Sequence, residues 1–317
     1  MISLALLETI AVVLLLAGLG GTLFYVGGSF LLMRSYTDAR PAWVSLREAL
    51  REGLWVILSQ PLLPLGYVLG RRMGGRGDQP IVLIHGYGQN RYAFLWLARA
   101  LRRAGLGPIY GFNYPFFSDI SASAARLGRF IEGVIVETGH PRVDIVCHSL
   151  GSLVGVEYLA GEGSARVRRC VTIAGPHGGV AWRGPIFGAC GPQLRSGGDF
   201  LKGRAERVLG VPCLSIYSTH DNIVHPPRTS SLVSRGGRDL AVDHLGHLSI
   251  LFDRVVANHI VAFLRETDAP RLPAPAPEPG GDGAAAAPPD ASAARPDGAI
   301  EPPSDGAIEP PSDGALA

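Results

Sequence analysis

Lysine is almost absent from this 317-residue sequence, which contains only Lys202, and charged residues of all types make up 18% of the chain. The formal net charge at pH 7 is +2. Domains that bind nucleic acid usually carry a concentrated basic stripe, and this composition offers none, so we do not expect nucleic acid as a partner. Apolar residues make up 47% of the chain, which is enough to build a sizeable core.

Cysteine is also scarce, and the four that occur are far apart in the sequence. They are Cys147, Cys170, Cys190 and Cys213. Without a CxxC pair, a zinc site is not expected, and nothing else in the sequence indicates a metal or a cofactor. Three of the four lie in or beside apolar runs, which favours small buried side chains over a disulfide.

Charge is missing altogether from residues 9–33, which read TIAVVLLLAGLGGTLFYVGGSFLLM. This run exceeds the roughly 20 residues that a helix needs to cross a bilayer. A cleaved signal peptide fits less well, because Glu8 and no Lys or Arg precede the run, which is also longer than the ~7–15 residues of a signal core. We therefore interpret residues 1–79 as a membrane anchor, with a transmembrane helix at about 9–33, followed by a linker.

A second apolar stretch, residues 53–70, contains Gln60, Pro61 and Pro64. It could cross the membrane, lie in the interface or pack on the rest of the protein; crossing is the least favoured, since prolines break backbone hydrogen bonding. Arginines follow the first run closely, and positive charge marks the cytoplasmic side of a span. These are Arg34, Arg40, Arg47 and Arg51. We therefore predict a single-pass protein of a bacterial inner membrane whose remaining chain is cytoplasmic.

From residue 80 to residue 268, short β-branched runs alternate with helical patterns. The predicted strands are 81–84, 108–114, 143–147, 170–174 and 213–218, and the predicted helices are 93–105, 121–139, 152–161 and 248–264. This alternation, with nearly continuous apolar strands, predicts an α/β domain with a mostly parallel sheet covered by helices on both faces. Residues 269–317 are rich in Pro, Ala and Gly and are expected to be a disordered tail.

A serine follows one of these strands directly, in VDIVCHSLGSLVG at 143–155. A serine on a tight strand-to-helix turn presents its hydroxyl above the sheet, and the positions two before and two after it must be small. Gly151 meets this requirement, whereas Cys147 stands where glycine is usual. Ser149 is therefore our predicted nucleophile. The alternative is an ordinary serine that caps the helix.

A nucleophilic serine needs a histidine base and a carboxylate that orients it, and on this kind of sheet they follow in the order Ser, Asp, His. Asp221 follows the strand CLSIYS, and His247 lies between Gly246 and a helical segment. We predict these two as acid and base. His244 is the rival base, and the rival acids are Asp199, Asp239 and Asp243, none of which follows a buried strand directly.

Acyl transfer also requires hydrogen-bond donors for an oxyanion. One expected donor is the backbone N–H of Leu150, next to Ser149. The other is the backbone N–H of Tyr87, in the loop IVLIHGYGQN after an early strand. A plain glycine turn is the alternative explanation of that loop.

Taken in order, five segments resemble the bacterial lipases and esterases of the α/β-hydrolase superfamily. They are IVLIHGYGQN, IVCHSLGSLVG, TIAGPHGG, SIYSTHDNIV and HLGHLSILF. The resemblance covers about residues 80–265. It implies an α/β-hydrolase fold, a triad of Ser149, Asp221 and His247, oxyanion donors at Tyr87 and Leu150, and a short lid formed by residues 180–206.

These observations predict a membrane-anchored serine hydrolase that cleaves carboxylic esters, of lipids or other acyl compounds, through an acyl-enzyme. An acyltransferase or a thioesterase could use the same triad with another acceptor or leaving group. A membrane-tethered protein that has kept the fold without catalysis is the alternative from another functional class.

Overall fold

The computed structural model describes residues 3–36, 41–182 and 184–267. The tail predicted for residues 269–317 lies outside them. The strands, numbered in chain order, are β1 (Arg72–Gln79), β2 (Ile81–Ile84), β3 (Gly107–Phe112), β4 (Val143–His148), β5 (Val167–Ile173), β6 (Cys213–Ser218) and β7 (Arg238–Val242). They form one sheet in the order β1-β3-β2-β4-β5-β6-β7.

The sheet is parallel except for β1, which pairs antiparallel with β3 at the edge. This confirms the predicted mostly parallel sheet. The five predicted strands are all present, with ends shifted by up to three residues. β1 falls within residues 1–79, so the sheet begins inside the segment that the sequence analysis assigned to anchor and linker.

The helices are α1 (Leu4–Arg34), α2 (Ala42–Ser59), α3 (Leu65–Val68), α4 (Leu95–Arg103), α5 (Ile120–Thr138), α6 (Leu150–Ala160), α7 (Cys190–Gln193), α8 (Asp199–Lys202) and α9 (Arg254–Arg265). Asp119 and Asp253 cap α5 and α9 by accepting hydrogen bonds from backbone N–H groups of the first turn. Short polar side chains satisfy these otherwise unpaired donors, which fixes where each helix begins.

Helices cover both faces of the sheet because alternate strand residues point to opposite sides. Val82 and Ile84 of β2 belong to a core shared with α5 and α6. Ile81 and Leu83 belong to a second core shared with α4, α9 and the end of α1. Both faces of the strands are therefore buried, as their continuous apolar sequences require.

The order in which successive strands are added to the sheet reverses at β2, and this reversal determines where a site should lie. β3 forms on one side of β2 and β4 on the other. Ligands of open parallel sheets bind at the carboxyl ends of the strands where such a reversal occurs. The loops that leave β2 and β4 at this point carry Gly86 and Tyr87 on one side and Ser149 on the other.

Among the described residues, α1 contains the one helical stretch, Leu16–Arg34, that is long and apolar enough to cross a membrane. Its N-terminal side chains are exposed where they are described, and its first buried residue is Val26. Val26, Phe30 and Met33 pack into the second core. The C-terminal third of α1 is thus docked on the domain, whereas the preceding part extends away from its core.

The second apolar stretch, residues 53–70, is divided among the end of α2, a 3₁₀ turn at Gln60–Leu62 and α3. Arg91 donates a hydrogen bond to the carbonyl of Gly66 (2.6 Å), and the amide of Asn113 donates to the same carbonyl (2.8 Å). The stretch therefore packs on the domain, as one of the three alternatives proposed, and its prolines interrupt the helix as expected.

Candidate active site

Ser149 lies on a sharp turn between β4 and α6, with backbone angles φ 53° and ψ −125°. A positive φ is rare for a residue with a side chain, and such strained geometry clusters at functional sites. The turn requires small neighbours: a Cβ on Gly151 would lie 2.4 Å from the carbonyl oxygens of Ile84 and His85. A Cβ on Gly86 would lie 2.8 Å from Cβ of Ser149. Glycine at both positions lets the two loops approach.

Cys147, which replaces the usual glycine, is accommodated by a glycine one turn into α6. The Cys147 side chain is fully buried, and a Cβ on Gly155 would lie 2.6 Å from its Sγ. The missing side chain at Gly155 thus provides the space that the thiol occupies. All four cysteines are buried and free, as expected.

The three residues predicted from chain order form one hydrogen-bonded series. Nε2 of His247 lies 2.8 Å from Oγ of Ser149. Nδ1 of His247 lies 2.9 Å and 3.1 Å from the two carboxylate oxygens of Asp221. The carboxylate only accepts, so Nδ1 carries a proton, and in the neutral ring Nε2 is left to accept the serine proton.

Loop contacts hold both partners of Ser149. The carboxylate of Asp221 accepts hydrogen bonds from the N–H groups of Ile223 and Val224, each at 2.8 Å. The side-chain oxygen of Asn222 accepts a hydrogen bond from the N–H of His247 at 2.8 Å. These bonds join the loop after β6 to the loop before α9 and so fix the imidazole against the carboxylate.

The pKa values of the pair shift in opposite directions. Burial alone would lower the pKa of His247, but the charge and hydrogen bond of Asp221 outweigh it, and the pKa lies above its usual value. Burial alone would raise the pKa of Asp221, but His247 and two backbone N–H groups lower it. The carboxylate therefore stays ionised and stabilises a protonated imidazole.

The rival residues lie elsewhere. His244 is exposed, and its backbone carbonyl accepts a bond from Arg51. Asp239 accepts a hydrogen bond from the N–H of Leu232, Asp199 begins α8, and Asp243 bonds to Thr219. Of the acids considered, Asp221 is the one that accepts hydrogen bonds from Nδ1 of His247.

Two further histidines support the loops in their neutral form. Burial lowers the pKa of His148 to about 3, and its Nε2–H donates to the carbonyl of His247 at 2.9 Å. Burial lowers the pKa of His85 to about 4, and its Nδ1–H donates to the carbonyl of Gly86 at 2.9 Å. His148 thus holds the loop of the base, and His85 shapes the loop of Tyr87.

The backbone N–H groups of Tyr87 and Leu150 lie on the two loops that meet at Ser149. Within the described part of the chain, neither N–H has a hydrogen-bond acceptor. Leu150 is also the first residue of α6, where backbone N–H groups and the helix dipole favour negative charge. Both groups remain available as donors to an oxyanion.

Comparison with known proteins identifies the fold. Residues 81–212 match the alpha/beta hydrolase family. The chain has the α/β-hydrolase fold. It is similar to Aspergillus fumigatus lipase B (18% identity, TM-score 0.51), with 58% of this chain and 51% of that chain covered. It is also similar to Bacillus licheniformis lipase BlEst2 in mature form (16% identity, TM-score 0.52), with 61% and 96% covered.

At these identities the likeness establishes the fold alone, and the matched region spans about half the length of the Aspergillus lipase. The family match and the fold support a hydrolase. Residues 1–80 lie outside the family match, and side chains from α1 and α2 within them lie beside Ser149 and the loop of His247.

Glu52 of α2 is a site residue that the sequence analysis missed. Its side chain is fully buried, and its two oxygens accept hydrogen bonds from the N–H groups of Leu248 (2.7 Å) and Ser249 (2.8 Å). Burial raises its pKa, while these two bonds act in the opposite direction. Its charge contributes to the raised pKa of His247. Glu52 therefore positions the loop of the base.

A cavity of about 440 Å³ opens beside Ser149. Its lining from the domain around the sheet comprises Tyr87, Gly88, Gln89, His148, Ser149, His247 and Leu248. The other lining residues belong to α1, to the end of α2 and to the 3₁₀ turn that follows it. Residues 180–206, the expected lid, are not among the described lining residues, although the hydroxyl of Tyr87 donates a hydrogen bond to the carbonyl of Phe187 at 3.0 Å. The lid stays a prediction.

Proposed function

We propose that this α/β hydrolase is a serine hydrolase that cleaves carboxylic esters of lipids or other acyl compounds. The observation that carries the proposal is the series from Ser149 Oγ through His247 to Asp221, with contacts of 2.8 Å and 2.9 Å. Ester hydrolysis needs a serine hydroxyl that can lose its proton as it attacks, and this series provides the acceptor.

In the proposed reaction, Oγ of Ser149 attacks the ester carbonyl carbon while its proton passes to Nε2 of His247. The N–H groups of Tyr87 and Leu150 bind the resulting oxyanion, and Asp221 stabilises the imidazolium. The intermediate collapses as the alcohol leaves with the proton from His247, which leaves an acyl-serine. Water then attacks the acyl carbon, His247 takes its proton, and the carboxylic acid is released with Ser149 restored.

We propose a lipid or other apolar acyl ester as the substrate, held in the cavity beside Ser149. The apolar α1 supports a membrane location. We propose that it is a single-pass anchor in a bacterial inner membrane, with the hydrolase domain on the cytoplasmic side. A bilayer is then both the site of attachment and the source of substrate.

Replacement of the nucleophile tests the proposal directly. Ser149→Ala should lower kcat for ester hydrolysis by a factor on the order of 10⁶ and abolish labelling by a fluorophosphonate probe. Ser152→Ala is the matched control, because Ser152 is a buried serine three residues further on, in α6, and its Oγ makes no hydrogen bond to the described residues. Measurable hydrolysis by Ser149→Ala, or equal labelling of both variants, would contradict the proposal.

A parallel assay on an acyl-CoA thioester separates ester from thioester chemistry. The proposed ester hydrolase should have the higher kcat/KM on the p-nitrophenyl ester of the same acyl chain. A strong preference for the thioester would instead assign the triad to a thioesterase.

A further inference from the structure

The cavity beside Ser149 has a second wall that does not belong to the family-matched region. Gly18, Gly21, Thr22 and Tyr25 of α1 form this wall together with Val56 of α2 and Gln60, which directly follows α2. The α1 residues follow an i, i+3, i+4, i+7 spacing, so they lie on one face of the helix. The helix proposed as the anchor is thus also part of the active-site cavity.

Three of the four α1 residues in this wall are small, and they leave free space. A Cβ built on Gly18 or on Gly21 would meet no atom within 4 Å. Residues of α1 before Thr22 are exposed where their side chains are described, and they include large apolar side chains. These are Leu6, Ile10, Val12, Val13, Leu16 and Leu19. The part of α1 that precedes the cavity therefore exposes an apolar surface.

The cavity lies beside the part of α1 that could cross a membrane. Leu16–Arg34 is the described stretch that is long and apolar enough to do so, and the cavity-lining residues Gly18, Gly21 and Thr22 are within it. Burial of α1 side chains on the domain begins at Val26. If α1 crosses the membrane, these lining residues are next to the lipid of the bilayer.

The rim of the cavity is apolar on the same side. Val56 and Gln60 line the cavity, and the residues around them expose large apolar side chains. These are Leu54, Ile57, Leu58, Leu62, Leu65 and Val68. Contiguous exposed apolar surface of this kind marks a membrane or partner contact, and it is continuous here with the anchor itself.

We infer that the cavity between α1 and Ser149 is an acyl-chain site that is loaded laterally from the bilayer. The inference rests on the proposed function and names its substrate class: a membrane-resident lipid ester with a long acyl chain. The chain lies along Gly18, Gly21 and Thr22 while the ester carbonyl reaches Ser149. The anchor is then a specificity-determining part of the enzyme as well as its attachment.

A bulky side chain on the cavity face of α1 tests the inference. The full-length protein in phosphatidylcholine vesicles is assayed on p-nitrophenyl palmitate and on p-nitrophenyl acetate. Gly21→Trp should lower the ratio of kcat/KM for palmitate to kcat/KM for acetate by about tenfold or more, since loss of fit in an apolar pocket gives factors of that order. The short ester needs only the space next to Ser149.

Gly20→Trp is the matched control. Gly20 is adjacent in α1, its Cβ would also meet no atom within 4 Å, and it does not line the cavity. This variant should leave the ratio unchanged. An equal fall in the ratio for both variants, or none for Gly21→Trp, would overturn the inference.

A binding measurement separates failure of this inference from failure of the proposed function. Ser149→Ala protein is irradiated in vesicles that contain a phosphatidylcholine with a diazirine in its acyl chain. Crosslinks should form at residues 87–89 and 248, should be lost on adding Gly21→Trp, and should persist with Gly20→Trp. If crosslinks follow this pattern but the protein with Ser149 intact hydrolyses no ester, the acyl site is supported and the proposed reaction is contradicted. If that protein hydrolyses esters but no such crosslinks form, only the acyl site is overturned.

Discussion

His244 and His247 lie on one loop, three residues apart, but only His247 is within hydrogen-bond distance of Ser149. His247→Ala should reduce kcat by orders of magnitude, because no other base replaces it. His244→Asn should retain activity, and Asn suits the positive φ of 60° at that position. Initial rates on a soluble ester measure both effects. An inactive His244→Asn with an active His247→Ala would show that the base is misassigned.

Glu52 should influence the pH dependence through His247. The base must be neutral to accept the serine proton, and Glu52 contributes to raising the pKa of His247 above its usual value. Glu52→Gln removes that charge, so the pKa of His247 falls and the acid limb of kcat/KM should move to lower pH. The measurement is the pH profile of kcat/KM on a soluble ester.

Glu48 provides the control, because it is a buried glutamate one turn earlier on the same helix. The N–H groups of Leu248 and Ser249 bond to Glu52, and Glu48 interacts with the charge of His244 rather than with His247. Glu48→Gln should leave the acid limb in place. If the acid limb of kcat/KM lies at the same pH in Glu52→Gln and Glu48→Gln, Glu52 has only a structural role. A lowered melting temperature could not separate that role from an effect on the pKa of His247, so the pH profile is the deciding measurement.

Ser149, Asp221 and His247 could be predicted because their roles require a fixed order along the chain. Glu52 could not, since 196 positions separate it from Leu248 and a glutamate among the arginines of an amphipathic helix reads as a solvent-facing charge. Only the docking of α2 on the loop before α9 reveals the contact. The types and order of the triad residues predicted the proposed chemistry, but they did not predict the contacts from α2 that hold the loop of His247 in place.

At the scale of elements, the packing of α6 on β4 explains how Cys147 fits the turn. Gly155→Ala should lower the free energy of unfolding by about 1–3 kcal/mol, because overpacking of a dense core is destabilising to that extent. The added Cβ would lie 2.6 Å from Sγ of Cys147. In a Cys147→Ala background the same change should be nearly neutral. Thermal unfolding of the four proteins in detergent gives the coupling.

Gly133→Ala in α5 is the matched helix substitution, because its Cβ would meet no atom within 4 Å. It should be neutral or stabilise by up to about 1 kcal/mol, the usual difference between alanine and glycine in a helix. If Gly155→Ala destabilised both backgrounds equally, the thiol would not be the reason for the glycine.

Element boundaries followed the sequence where local signals were strong. The predicted helix at 121–139 is observed as α5, since Asp119 caps its start and Gly139 adopts the left-handed conformation at its end. The predicted helix at 248–264 is instead interrupted, because Asp253 caps α9 and ends the preceding 3₁₀ turn. β1 was not predicted, because its sequence consists mainly of glycines and charged residues and lacks the alternation of apolar and polar residues that indicates a strand. It becomes a strand through its pairing with β3.

At the scale of the whole molecule, the apolar surface is concentrated in the N-terminal helices. α1 exposes apolar side chains along its free part, and α2 exposes Trp43, Leu46 and Leu50 as well as the residues at its end. An amphipathic helix beside a span is typical of a protein that lies against the bilayer surface. If α1 anchors the protein as proposed, this arrangement places the cavity next to Ser149 at the membrane rather than facing open water.

The side of the membrane on which the hydrolase domain lies follows from the charges around α1. Arg34, Arg47 and Arg51 come after the apolar run, and Glu8 precedes it. An excess of arginine marks the cytoplasmic flank of a span, so the domain should be cytoplasmic. Since residues 53–70 pack on the domain, no second crossing within the described residues reverses this orientation. An alkaline phosphatase that is active only outside the cytoplasm, fused after residue 270, should therefore be inactive.

The matched fusion is a fluorescent protein that folds in the cytoplasm, joined at the same residue, and it should be bright. Replacing Arg34, Arg47 and Arg51 with glutamine should weaken the preference, because it removes three of the four arginines that closely follow the apolar run, and phosphatase activity should rise. Strong phosphatase activity in the unaltered protein would place the hydrolase domain outside. In that case the acyl site on α1 would draw its lipid from the outer leaflet. The reason is that the cavity lies on the same side of the membrane as the hydrolase domain, which follows the C-terminal end of α1.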